Sequence, residues 1–149
     1  MTPNELKNNN PEVYLYQSRA KSALPNVYMF AASRVKIDNK IVTVEYGGFG
    51  LNGNLQVILA YVPNPTEHTY YQYRDMLVSG YGSPARSTEI PGSMKHPAGH
   101  GMLETHWDLF DRNVIITLVF NGNGNPPMLN MLFSSIRAAT KIMNNSRSN

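Results

Sequence analysis

The sequence predicts an α+β domain: an antiparallel sheet of five to six strands with helices packed on one or both faces, in the order α-βββ-α-βββ-α. Three observations predict it. A segment with helix start and stop signals occupies residues 64–82, near the middle of the chain. Segments rich in β-branched and aromatic residues flank it on both sides. Most of those segments are joined by connections of hairpin length, which favour antiparallel pairing.

The central helix is marked at both ends. Asn64 is a capping residue type, Pro65 suits the first helical position, and Glu67 stands where a capping-box carboxylate reaches back to the cap. Gly82 supplies a left-handed stop. One apolar face recurs at helical spacing, formed by Tyr70, Tyr73, Leu77 and Tyr81. This face requires a sheet to pack against.

Before the central helix, the pattern predicts one helix and three strands. Asn10 and Pro11 repeat the start signal, and apolar residues at helical spacing predict a first helix over residues 11–23. Strands are expected at 27–37, 41–47 and 55–62. The turn pairs Asp38-Asn39 and Asn52-Gly53 separate them.

After the central helix, the pattern repeats. Strands are expected at 85–90, 103–110 and 114–121, and the Asn-Pro-Pro of residues 125–127 is expected to open a last helix with an apolar stripe from Leu129 to Met143. This element order resembles that of the α/β/α sandwiches built on an antiparallel sheet, the PsbP/Mog1 type among them. We expect one domain over residues 1–149, with 1–9 a flexible arm and 144–149 a flexible tail.

The composition narrows the function classes. The 13 basic side chains are scattered and exceed the 10 acidic ones by only three, whereas nucleic-acid binding needs concentrated positive charge, so we do not expect it. Without cysteine, the chain cannot form disulfides or thiolate metal sites. No apolar run reaches the roughly 20 residues of a membrane span. The sequence leaves the oligomeric state open.

The compartment is also left open by the sequence. The first ten residues hold no apolar signal region. Charged residues form only 15% of the chain, and the remaining polar residues are mainly Asn, Ser, Thr and Tyr. This composition favours a bacterial periplasmic or secreted protein from which a leader has been removed, with the cytoplasm as the alternative.

A glycine-rich segment at residues 48–53, GFGLNG, matches the dinucleotide-binding pattern GxGxxG. That chemistry requires a helix directly after the glycines, so that the helix N-terminus faces the pyrophosphate. The segment that follows, LQVILAYV, predicts a strand. We therefore interpret the glycines as a hairpin connection.

The connection over residues 91–106 holds three of the four histidines, and its candidate metal ligands are Met94, His96, His100 and Met102. Imidazole suits zinc or copper, and thioether sulfur adds a preference for Cu(I). Glu104 could complete such a site. The alternative is a solvated loop whose histidines bind no metal, because no fixed ligand spacing such as HExxH is present.

The groups available for catalysis do not form a recognised spacing. His68 and His106 could serve as bases, and several Asp and Ser residues are near them in sequence, but no GxSxG elbow or paired-carboxylate spacing is present. A histidine on a strand, as His106 is expected to be, is more often a hydrogen-bonded structural residue than a general base.

Aromatic residues indicate either a protein interface or ordinary scattered surface aromatics, and the sequence favours neither. Tyrosine is favoured at interfaces because its ring gives a large contact area and its hydroxyl stays polar. The interface candidates are Tyr14, Phe49 and Tyr71. The central helix begins with three tyrosines, Tyr70, Tyr71 and Tyr73, which cannot all face one core, and Tyr71 is the one expected to be partly exposed.

The leading functional hypothesis is a non-catalytic protein-binding module, in a bacterial envelope or secretion-type assembly. The alternative is a metal- or small-molecule-binding protein, or an enzyme, that uses the loop 91–106, with copper or zinc as the candidate cofactor.

Overall fold

The chain folds into one sheet of eight strands with three α-helices, in a computed structural model that describes residues 1–90 and 102–147. The helices are α1 (Pro3–Asn9), α2 (Glu67–Tyr81) and α3 (Ile136–Arg147). The strands are β1 (Tyr14–Lys21), β2 (Val27–Ile37), β3 (Lys40–Phe49), β4 (Val57–Val62), β5 (Arg86–Ile90), β6 (Met102–Leu109), β7 (Val114–Asn121) and β8 (Met128–Ser134). A short 3-10 turn, Phe110–Arg112, connects β6 to β7.

Two four-stranded meanders form the sheet. The strand order is β1-β2-β3-β4-β8-β7-β6-β5, and every neighbouring pair is antiparallel. The meanders join at the β4–β8 pair, where Val57 lies opposite Ser134 and Val62 opposite Leu129. The expected sheet of five to six strands and the order α-βββ-α-βββ-α are therefore wrong; the described residues follow the order α-ββββ-α-ββββ-α.

The first missing strand is β1, where the sequence predicts a helix over residues 11–23. Tyr14 and Leu15 pair with β2, the register then shifts, and pairing resumes at Ala20. The true first helix, α1, lies in the expected flexible arm. Thr2 caps it with a capping box to Glu5, and its Leu6 is buried, which ties this segment to the domain.

The second missing strand is β8, which occupies the first part of the predicted last helix. This strand lies at the centre of the sheet, between β4 and β7. It carries apolar residues on both of its sides, so its sequence lacks the alternation of a half-exposed strand and can be mistaken for a helix. Helix α3 begins only at Ile136, after Ser135, whose hydroxyl accepts a hydrogen bond from the Ala138 amide at 3.0 Å.

The central helix α2 lies where the sequence predicts it, with a different cap. Thr66, rather than Asn64, is the capping residue, and its hydroxyl accepts from the Thr69 amide at 3.2 Å. Gly82 ends the helix with a positive φ of 88°, and its amide donates to the Val78 carbonyl at 2.8 Å.

The sheet has two faces with different helices. We call one side of the sheet the front face; there, Ala60, Leu118 and Trp107 contact α2. The other side is the back face; there, Val57 and Leu59 contact Ala138 of α3. Although each meander is followed by a helix, α2 and α3 therefore pack on opposite faces. None of the helices in the described part of the chain combines the length and apolar character needed to cross a bilayer.

Candidate functional site

Helix α2 is held over one half of the front face. Its Tyr70, Tyr73 and Leu77 are buried against the sheet, as their helical spacing predicts. The Tyr73 hydroxyl donates to the Ile37 carbonyl at 3.1 Å, and the indole N–H of Trp107 donates to the Gly82 carbonyl just beyond the helix at 2.9 Å. These contacts hold the helix in a single lateral position, over β6 and β7.

One flank of α2 is closed by a polar network. The Arg74 guanidinium forms an ion pair with Glu89 of β5 at 2.9 Å, and the Tyr70 hydroxyl donates to the same carboxylate at 3.3 Å and hydrogen-bonds Thr105. Burial, assisted by Glu89, raises the pKa of Tyr70 to about 12, which keeps the phenol protonated at neutral pH. This flank is therefore fixed to the edge of the sheet.

The opposite flank of α2 is open, and a groove of about 470 Å³ runs between it and the sheet. Side chains of β3, β4 and β8 form its floor, among them Val44, Ile58, Ala60, Met131 and Phe133. Met76, Leu77 and Gly80 of α2 form its wall. None of the described side chains that line it is charged. The volume is in the range of ligand and anchor pockets in proteins.

Three large apolar side chains at the groove remain exposed to solvent. Val35 is 39% exposed, Met76 is 39% exposed and Tyr81 is 37% exposed. Gly80 widens the groove, because a Cβ atom at this position would have no atom within 4 Å. A contiguous exposed apolar surface with a depression in it is typical of a binding site rather than of scattered surface residues.

A second cluster lies on the back face, around His106. Its Nε2 is 2.6 Å from the Glu104 carboxylate, and its Nδ1 is 3.2 Å from the Thr117 hydroxyl. A proton on Nε2 satisfies both contacts, with the ring donating to Glu104 and accepting from Thr117. Strands β6 and β7 each pair with a neighbouring strand on both sides. Their backbone amides therefore donate hydrogen bonds within the sheet and do not form an oxyanion hole beside Thr117. The hydrogen bond between His106 and Thr117 links β6 to β7 on the back face.

A third cluster, also on the back face, surrounds Glu45. Its carboxylate accepts a hydrogen bond from the Tyr16 hydroxyl at 2.9 Å and another from Tyr61. Burial and the neighbouring carboxylate raise the pKa of each of these two tyrosines to about 12. The phenols therefore stay protonated and donate to Glu45.

The predicted metal ligands fall largely outside the described residues. Met94, His96 and His100 lie there, while Met102 begins β6 and is 39% exposed. Within residues 1–90 and 102–147, no group of three or more His, Asp and Glu side chains is arranged to hold a metal ion. The glycines of 48–53 are followed by β4 and not by a helix, as the hairpin interpretation requires.

The three predicted interface aromatics lie apart. Tyr14 is exposed on the edge strand β1. Phe49 ends β3 and packs with the α3 side of the core, with the Lys141 ammonium 4.4 Å from its ring centroid. Tyr71 lies on α2, where it is half-buried and its ring meets that of Tyr70 edge-on at 5.1 Å. The structure does not bring them together on one surface.

Sequence reasoning missed the groove itself. One signal for the groove was present in the sequence of α2. Gly80 lies one turn after Met76 on the flank of the helix, where a helix buried on that flank would carry a larger apolar side chain than glycine. The strand partners that form the floor could not be assigned without β8.

No family model, curated protein or solved structure matches this chain. The resemblance of element order to the PsbP/Mog1 sandwiches therefore gains no support. Among the described residues, the groove and the two back-face clusters are the features from which a function can be argued.

Proposed function

We propose that this chain is a non-catalytic protein-binding module, and that its groove receives the apolar face of an amphipathic helix from a partner protein. The observation that carries the proposal is the apolar groove between α2 and the sheet, with Val35, Met76 and Tyr81 exposed around it. Helices that bind in this way insert apolar anchors, spaced by three, four or seven residues, into such grooves.

The dimensions of the front face support a helix as the occupant. Eight strands spaced by about 4.8 Å make a face roughly 34 Å wide. A helix with its side chains covers about 10 Å of that width. Helix α2 covers the β6–β7 region, and α1 packs near β1 and β2 through Leu6 and Phe30. The groove lies over the strands between them, where Val44, Ala60 and Met131 are already largely buried, so it has room for the anchor side chains of a helix rather than for a whole helix.

The chemistry of the lining favours a protein over a small ligand. Small-molecule sites place a few polar groups that orient the ligand, whereas this groove offers apolar side chains almost throughout. Such a surface instead suits the buried anchors at the centre of a protein interface. The Arg112 guanidinium is 5.9 Å from the Tyr81 ring centroid, so this end of the groove carries a positive charge. We therefore expect an acidic residue at the matching end of the partner helix.

The test selects helical peptides from a displayed library of amphipathic sequences and measures their affinity for two variants. Gly80→Leu places a side chain in the groove, while Ser79→Leu places the same side chain on the solvent side of α2. The selected peptides should bind the wild type and Ser79→Leu equally, and bind Gly80→Leu at least about ten-fold more weakly, a difference of about 1.4 kcal/mol.

Two other occupants are outcomes of the same test. If a fluorescent fatty acid binds the wild type but not Gly80→Leu, and no peptide is selected, the groove is a lipid pocket and the proposal fails. If sedimentation shows a dimer that Gly80→Leu dissociates, the occupant is a second copy of the chain and the proposal also fails. Peptides that bind both leucine variants equally would place the binding surface elsewhere.

A further inference from the structure

The cluster around Glu45 combines a carboxylate with three tyrosine rings on the back face, on the side of the sheet opposite to the groove. Tyr14 lies across from Ala32 of β2, and Ala32 lies across from Glu45 of β3. These three residues share one face because directly paired residues project to the same side of a sheet. Tyr16 and Tyr61 reach the same carboxylate with their hydroxyls.

Within residues 1–90 and 102–147, no cation is seen in an ion pair with Glu45. The ion pairs Arg74–Glu89 and His106–Glu104 do not involve it. Arg34 lies on the same face, across from Thr43, without forming an ion pair with this carboxylate. Half-buried carboxylates usually gain such a partner, because two hydroxyl hydrogen bonds do not neutralise the charge. Within the described residues, the Glu45 carboxylate is therefore held by hydroxyl hydrogen bonds.

Two of the rings lie close together near this carboxylate. The ring centroids of Tyr14 and Tyr16 are 6.0 Å apart, and their planes are inclined at 59°. Ala32, with its small side chain, lies between Tyr14 and Glu45 on this face, and these two residues are two strand spacings apart, or about 10 Å. A cation bound between the two rings and the carboxylate would lie within the roughly 6 Å over which an aromatic ring attracts it.

We propose that Tyr14, Tyr16, Tyr61 and Glu45 form a binding site for an organic ammonium ion, of the kind found in a choline-type headgroup or a methylated lysine side chain. Ring faces attract the methylated cation, and the carboxylate supplies the opposite charge. The exposed Tyr14, at 65% exposure, makes the site accessible from solvent. This inference does not depend on the function proposed for the groove.

The experiment titrates the full chain, with isotope-labelled tyrosine rings, with tetramethylammonium chloride and follows the ring resonances by NMR. Sodium chloride at equal ionic strength is the control titration. Saturable shifts of the Tyr14 and Tyr16 resonances are expected with tetramethylammonium alone, with a dissociation constant of about a millimolar. Binding should be about ten-fold weaker in Glu45→Gln and in Tyr14→Ala, and unchanged in Tyr14→Phe, which keeps the ring.

Two controls keep the result interpretable. Tyr14 is exposed, so Tyr14→Ala should leave the fold intact, and Tyr81→Ala removes a ring from the front face without touching the site. Absence of saturable shifts up to roughly 100 mM, or equal binding by Tyr14→Ala and Tyr14→Phe, would overturn the proposal. A trimethyl-lysine peptide that binds more tightly than tetramethylammonium identifies a peptide as the source of the cation, and equal affinity identifies a free ammonium ligand.

Discussion

Substitution of Gly80 should stabilise this protein, although most substitutions destabilise their proteins. The residue lies near the end of α2, its backbone is helical, and an added Cβ would have no atom within 4 Å. Replacing glycine by alanine in a helix gains up to about 1 kcal/mol, and this position near the helix end should give about half of that. Leucine adds the partial burial of its side chain in the groove, about 1 kcal/mol more.

The assay is urea unfolding followed by circular dichroism, with calorimetry as a second measure. We expect the free energy of unfolding to rise by about 0.5 kcal/mol in Gly80→Ala and by 1–2 kcal/mol (roughly) in Gly80→Leu. For a chain of this length, the second gain raises Tm by about 2–8 °C. Ser79→Leu, at an exposed position on the same helix, should change stability by less than about 0.5 kcal/mol. A loss of stability in Gly80→Leu would contradict the open space that the structure has beside Gly80 in the groove.

Three further predictions test the packing and the buried phenol. Gly48→Ala should cost about 2 kcal/mol of unfolding free energy, because its Cβ would overlap the backbone carbonyl oxygen of Asn54; a neutral result would contradict that close approach. Trp107→Phe should cost about 3 kcal/mol in the same urea assay, since the buried indole loses volume and its hydrogen bond to the Gly82 carbonyl. The pKa of Tyr70 is raised in the folded state from 10.0 to about 12, so its stabilising contribution is complete below pH 10 and is lost as the pH rises toward 12. Between pH 9 and pH 11.5, the free energy of unfolding should therefore fall by about 2 kcal/mol more in the wild type than in Tyr70→Phe. Equal losses in the two proteins would count against a raised pKa of Tyr70.

The central helix and six of the strands were predictable because their local patterns agree with their environment. Helix α2 has an apolar face on one side only, and it packs that face on the sheet. The strand 114–121 was predicted with the bounds that β7 has. In these segments, periodicity and burial agree, and the local signal is enough.

The two segments mistaken for helices show where the local signal ends. Residues 14–21 form an edge strand whose register shifts between Leu15 and Ala20, so strict alternation is lost. Residues 128–134 are apolar on both sides because β8 is covered from both faces of the sheet. In each case, pairing with other strands determines the conformation, and the pattern within the segment does not record that pairing; for β8, one partner is β4, which is distant in sequence.

The candidate sites depend on the same long-range information. The groove lies between α2, which contacts β6 and β7, and side chains of β3, β4 and β8, so it depends on the position of the helix across the sheet. The Glu45 cluster requires β1 to be a strand, since a helix over residues 11–23 would have carried Tyr16 away from it. Residue types alone led to the prediction of a tyrosine interface, which stays a prediction, and they did not specify a face of the sheet.

The most direct test of the groove uses methionine methyl groups as internal reporters. Met76 and Met131 line the groove, whereas Met29 is buried on the back-face side and Met143 is exposed on α3. The wild-type protein with labelled methionine methyls would be titrated with the selected helical peptide and followed by NMR. We expect the Met76 and Met131 resonances to shift together and saturably, while those of Met29 and Met143 stay in place. Shifts at Met143 without shifts at Met76 and Met131 would contradict helix binding in the groove.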